Sequence, residues 1–213
     1  MSAIVLHANA AEIASRLEQL GVNEQALHEA IWQGHLHRAT LTDNHPVIYR
    51  GLVMWGDSVA ALRDQLRPLG WTRKDRGSYA LTEHEELGLA ITVASGDEAT
   101  GVPYLQPTNR SKKGRNTMEA VEANQQLDLF DGLTVEQQGG VDESQTWVLL
   151  HYTDKRIGEI RIELSRPTAI DSDGRISDWS ERIILGSIPL EDDLLEIEPP
   201  SDPDIEITVR RKV

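Results

Sequence analysis

Three histidines at positions 35, 37 and 45 are the first residues in the chain whose type and spacing could do metal chemistry. A spacing of i, i+2 brings two imidazoles to one ion only on a strand or a loop, and no fourth ligand follows. His35, His37 and His45 therefore read as surface or helix-capping groups. Asp171, Asp173, Asp178 and Glu181 could gather around a divalent cation. The run Asp171-Ser172-Asp173-Gly174 leaves the calcium-loop spacing after its first turn, however, so a polar hairpin turn is expected. Gly96-Asp97-Glu98-Ala99-Thr100-Gly101 has two glycines but lacks the Lys-Ser or Lys-Thr step of a phosphate-cradling loop, and its two carboxylates repel phosphate. With no Gly-x-Ser-x-Gly elbow, no nucleophile, base and acid can be assigned as a triad. The absence of cysteine removes thiol catalysis, thiolate metal sites and disulfides. No catalytic residue, metal or cofactor is assigned, and the chain reads as a binding protein before an enzyme, with an enzyme whose site is not recognisable from sequence as the remaining alternative.

Charge narrows the partners. The 213 residues include 35 acidic and 21 basic side chains, a net charge of −14. That balance repels nucleic acid, so no direct nucleic-acid binding is expected of the acidic parts. It leaves basic proteins, metals and surfaces reached through a short linear motif. Against this background Arg110, Lys112, Lys113 and Arg115 form a basic cluster. It could touch DNA phosphates if a partner held it nearby, and otherwise is a solvated linker. The stretch from Glu191 to Glu206 is the opposite extreme, with eight carboxylates and no base. It reads either as an acidic loop interrupted by prolines or as an imitation of a phosphate backbone for a basic groove.

The elements that must position these groups follow from periodicity. Ile13, Leu17 and Leu20 share one helical face that closes at Gly21, and Asn23 can cap a second helix carrying Leu27, Ala30 and Ile31 as far as Gly34. A third helix is expected from Asp57 as N-cap, carrying Val59, Leu62 and Leu66. Segments 78–83 and 87–95 then read as a hairpin across Glu85-Glu86. Residues 1–96 make a compact α+β unit. From 97 to 144 apolar residues become sparse, and a polar flexible linker is expected, with one short helix at Thr117 to Gln125. Residues 145–213 return to strand pattern. Trp147 to Tyr152 is apolar at nearly every position, Ile160, Ile162 and Leu164 alternate with charges, Ile183 to Ile188 is an apolar run, and Ile205, Ile207 and Val209 alternate again. This predicts a mainly antiparallel C-terminal β domain with Trp179 in its core. The fold class is therefore α+β: N-terminal helices plus a β-hairpin, a linker, and a C-terminal β domain. No run approaches the ~20 apolar residues of a membrane span, and no secretory signal is evident at Met1 to His7, so a cytoplasmic location without membrane contact is expected.

Within the linker lies Gln126-Leu127-Asp128-Leu129-Phe130, which contains the chain's only Phe. It resembles the pentapeptide by which bacterial polymerases, mismatch-repair proteins and related factors dock on the replication sliding clamp. That pattern is Gln, Leu, Ser or Asp, Leu, Phe, and all five positions match. The resemblance implies that Gln126 hydrogen-bonds in a polar subsite of the clamp, Leu127 packs at its mouth, and Leu129 and Phe130 fill an apolar cleft. Extended peptides work this way because a few anchors reach pockets without a folded scaffold. Burying a Leu or Phe is worth ~1.5–3 kcal/mol, so two anchors less their ordering cost imply roughly micromolar binding. An adaptor that recruits itself to a bacterial clamp is the function this implies. The second expectation is an acidic interaction protein or DNA mimic, a component of an antiviral-defence or mobile-element system. A third reading leaves Leu127, Leu129 and Phe130 as a strap on the protein's own domains.

Overall fold

Asn9 and Asn23 start the first two helices by the same device. Each side-chain carbonyl accepts a first-turn backbone N–H, Asn9 from Glu12 at 2.9 Å and Asn23 from Ala26 at 2.8 Å. This supplies a bond that helix starts otherwise lack. The first helix, α1 (Ala10–Gln19), buries Ile13 and Leu17, and Gly21 at φ +65° reverses the chain after it. The second, α2 (Glu24–Ala39), runs through Gly34 instead of ending there. A Cβ on Gly34 would lie 2.6 Å from the Met54 carbonyl oxygen and against the side chain of Ser58. Gly34 is thus the point where two helices touch, and not a terminator. The helix it touches, α3 (Val47–Leu66), begins behind Pro46, well before the expected Asp57.

The computed structural model describes residues 4–76, 79–112, 114–130 and 144–190, the side chains of 126–130 excepted. The expected strand at Ile205 to Val209 and the acidic stretch Glu191 to Glu206 lie outside the described residues.

Seven strands form one sheet: β1 (Val5–His7), β2 (Thr72–Arg76), β3 (Tyr79–His84), β4 (Leu89–Ser95), β5 (Gln145–Asp154), β6 (Glu159–Ile170) and β7 (Ile176–Pro189). Their order is β1-β7-β6-β5-β4-β3-β2. The pairs β1–β7 and β4–β5 are parallel and the others antiparallel. The fold is mixed α+β, with β3 and β4 forming the expected hairpin and Asp171 to Gly174 the expected turn. The expected division at residues 96 and 145 is not how the sheet is built, because β4 hydrogen-bonds to β5 from Leu89–Gln145 through Ser95–His151. The physical reason lies in β5, which is apolar toward both faces and so sits inside the sheet where both faces are covered, its two backbone edges paired with β4 and β6.

The two faces differ. Toward the first, Ile91, Val93, Trp147, Leu149, Ile162, Leu164 and Ile183 pack against Leu17, Leu27, Ile31, Leu62 and Leu66 of α1, α2 and α3. At ~1.5–3 kcal/mol for each fully buried side chain, this layer supplies most of the driving force. The second face holds a smaller apolar patch, with Ala94, Val148, Leu150, Ile176 and Trp179. No helix among the described residues is long and apolar enough to cross a membrane.

A polar clamp closes the first face at the β1–β7 edge. The Arg16 guanidinium donates to both Glu181 carboxylate oxygens at 2.5 and 2.9 Å, His7 meets the same carboxylate at 2.9 Å, and Arg16 also lies over the Trp147 ring. Burial by itself would raise the Glu181 pKa, but the bonds from Arg16 and His7 outweigh it and hold the carboxyl below its ordinary range. A carboxyl depressed on folding stabilises the protein above its unfolded value, about 4.3, and that contribution is lost as pH falls through the folded value. Replacement by Glu181→Gln is accordingly expected to lower the melting temperature by roughly 2–4 °C at pH 7. The gap between variant and native protein should narrow below about pH 4 in a pH series of thermal melts. A gap independent of pH would contradict this account.

Candidate functional site

The second face is covered by the segment expected to be a linker. Residues 97–112 cross it as a loop, and α4 (Arg115–Phe130) follows. The helix is longer than the expected Thr117 to Gln125, and Val121, Ala123 and Asn124 are buried. In place of a flexible tether, residues 97–112 and 114–125 are packed chain. Composition misleads here because polar side chains, not apolar ones, make most of the attachments.

The central attachment is an ion pair between Glu163 on β6 and Arg182 on β7, both almost fully buried. Arg182 donates to Glu163 at 2.6 and 3.1 Å, and also to the Leu105 and Val102 carbonyls at 2.6 and 3.2 Å. Glu163 accepts from the Gly101 backbone N–H at 2.8 Å and from the Ser165 hydroxyl at 2.7 Å. Gly101 has φ +73°, and a Cβ there would press on Arg161 at 2.9 Å, so no other residue fits. One buried pair thus fixes the loop tip and leaves Tyr104 86% exposed beyond it.

Further bonds hold the remainder of the loop. The Asp97 carboxylate caps Ala99 and Thr108 within the loop, so the Gly96 to Gly101 segment is the turn expected of it. The Trp179 indole donates to the Pro107 carbonyl at 2.9 Å, consistent with a core position, and buried Asn109 accepts from Ile176 N–H at 2.6 Å. Ser95 and His151 meet at 3.3 Å where the loop leaves β4.

The helix α4 is secured by Asn124. Its amide donates to the Thr146 and Pro167 carbonyls at 2.8 and 3.0 Å and accepts from Thr146 N–H at 2.8 Å. The β5–β6 ladder begins only at Val148–Ser165, so the side chain stands in for the missing strand pairing between Thr146 and Pro167. Gln126, Leu127, Asp128, Leu129 and Phe130 begin two positions later, and their backbone continues the helix instead of lying extended. Their side chains are outside the described residues.

The other candidates separate. Arg110, Lys112 and Arg115 are exposed, the Arg110 carbonyl accepting from Arg175 at 2.9 Å, while Lys113 lies outside the described residues. His35 is buried in α2 and stacks on Trp32, a correction to its expected surface position: it falls on the face that packs against α3. His37 pairs with Asp57 at 3.0 Å, and His45 joins the turn at Thr42 and stacks on Tyr49. Asp171 organises its own turn, Asp178 receives Gln106, and Glu181 belongs to the clamp on the opposite face. Among the described residues no three His, Asp or Glu side chains gather to hold a metal. Sequence reading missed Glu163, Arg182 and Asn124. The available signal was two opposite charges on neighbouring strands, at positions that the alternation assigns to the side away from the main core.

Comparison with protein-family models, with curated proteins and with solved structures gave no match.

Removing one partner of a buried pair strands the other, so Glu163→Ala should lower unfolding free energy by about 3–5 kcal/mol in urea titrations. The double replacement Glu163→Met with Arg182→Leu would relieve an isolated pair. Here it should not restore stability, because the Val102 and Leu105 carbonyls lose their donor. Full recovery in the double variant would show that the pair does not hold the loop.

Proposed function

We propose that the protein is a non-catalytic adaptor that docks on the bacterial replication sliding clamp through Gln126, Leu127, Asp128, Leu129 and Phe130. The observation that carries the reading is the match of all five residues to the clamp-docking pentapeptide. Ordinary residue frequencies put a chance match in a chain of this length at roughly one in a thousand. Support also comes from the anchor before it. Asn124 is held on three sides by β5 and β6, so the pentapeptide starts from a fixed point on the folded body.

Docking as an extended peptide requires the final turns of α4 to unwind. A helix end yields more readily than its middle, since its last four carbonyls lack intrahelical partners, and the clamp cleft then supplies the burial that stabilises the extended form. The role assigned is recruitment: the pentapeptide brings the folded body to the clamp, and the exposed basic side chains Arg110, Lys112 and Arg115 would then stand near DNA phosphates.

Titration of the full chain into a purified bacterial clamp, followed by calorimetry, tests the reading. Binding of roughly micromolar strength is expected, and Leu129→Ala with Phe130→Ala should weaken it roughly a hundredfold or more. No binding, or binding indifferent to that double replacement, would refute the proposal.

A further inference from the structure

The apolar stripe of α3 is longer than the core it serves. Ile48, Leu52, Trp55, Val59, Leu62 and Leu66 recur every three or four residues and so lie on one side of the helix. Val59, Leu62 and Leu66 belong to the buried core, whereas Ile48, Leu52 and Trp55, with Val47 beside them, are 37–52% exposed. The change falls at Trp55, where the sheet itself opens. The β3–β4 ladder ends at Thr82–Ile91, beyond which β3 continues to Tyr79 against β2 and β4 to Ser95 against β5. The strands part, and beside Trp55 the gap holds a cavity of about 370 Å³, also lined by Ala80, Thr92 and Val93. The N-terminal half of α3 thus presents an apolar face to solvent, the mark of an interaction surface.

Three features fit this face to a second copy of itself. The first is charge. Between Val47 and Gly56 the only charged side chain is Arg50, which lies on the opposite side of the helix and pairs with Asp43 at 3.1 Å. Two copies of a chain with net charge −14 can therefore meet here without bringing carboxylates together. The second is spacing. Antiparallel pairing about the Gly51–Leu52 peptide sets Ile48 of each copy against Trp55 of the other and Leu52 beside Leu52. Gly51 then meets Gly51. Nothing stands within 4 Å of the position a Cβ would take there, so the helices are free to close. The third is area. At roughly 150–250 Å² for a large side chain, the exposed parts of Val47, Ile48, Leu52 and Trp55 leave about 350 Å² of apolar surface per copy. Pairing removes both faces from water, and each arriving Ile48 also covers the cavity beside Trp55. With its polar rim the contact approaches the ~1,200 Å² of the smallest specific interfaces, which fits a dimer of modest affinity.

We propose that the chain forms a two-fold symmetric homodimer through the N-terminal half of α3, with Ile48, Leu52 and Trp55 of each copy packed on those of the other. The interface does not involve residues 126–130 and stands independently of clamp docking.

Sedimentation equilibrium of the full chain tests it. Dimers with a Kd of roughly 10–100 μM are expected. Added salt should tighten the association about twofold or more, because screening weakens the repulsion between two acidic chains while the apolar contact persists. Leu52→Asp, which sets two carboxylates side by side, should weaken it roughly a hundredfold. Gly51→Gln is the sharper variant. In the single chain the new side chain has open space and replaces a glycine within a helix, so the dilute variant should melt no lower than the native protein. In the dimer the two glutamines collide, and association should weaken roughly tenfold or more. The melt separates a lost contact from a lost fold. A chain that stays monomeric at about 1 mM would assign the face to some other occupant and overturn the proposal. Dimers indifferent to Leu52→Asp and Gly51→Gln would overturn it equally.

Discussion

Glu163 and Arg182 occupy the side of the sheet that α1, α2 and α3 leave uncovered, and both are buried there. Two charges can leave water in this way only if their remaining hydrogen-bonding capacity is also met. The loop after β4 meets it, offering the Val102 and Leu105 carbonyls to Arg182 and the Gly101 N–H to Glu163. The dependence runs both ways: without the loop the pair has no cover, and without the pair the loop has little apolar surface to hold it down. The path of the chain from Gly96 to the start of α4 follows from this mutual requirement, which places the helix across the strands.

Once α4 is across the sheet, its two ends face two different breaks in strand pairing. Near its C-terminal half, Asn124 completes the backbone bonding of Thr146 and Pro167. At its N-terminus the parted strands β3 and β4 leave a cavity. The first break fixes α4 two positions before residues 126–130. The second leaves room beside the positive end of the helix.

Much of the local structure was legible in the sequence. Asn23 as a cap, Gly21 as a turn, the hairpin over Glu85 and Glu86 and the Asp171 to Gly174 turn each follow from the stereochemistry of a few adjacent residues. What escaped is nonlocal or polar. The start of α3 was hidden because Ile48, Leu52 and Trp55 are apolar yet exposed, so periodicity marked no boundary between core and solvent face. Gly34 resembles a terminator until the proximity of Met54 is known. The parallel pairing of β4 with β5 joins strands separated by the whole loop-and-helix segment, and nothing in either strand announces it. Of the site, the pentapeptide and the basic residues could be read directly. Glu163, Arg182 and Asn124 could not, because their roles arise from whether a buried hydrogen bond is made, which composition does not record.

Polar bonds make residues 97–112 and 114–125 part of the folded body. Hydrogen–deuterium exchange on the full chain addresses it most directly. Backbone amides in hydrogen-bonded parts of the loop, such as Gly101 and Arg110, and in α4 from Val121 to Gln125 should exchange slowly, and Glu163→Ala should release the loop before β5 and β6. Exchange of this whole segment at the unprotected rate, with the strands still protected, would contradict the account.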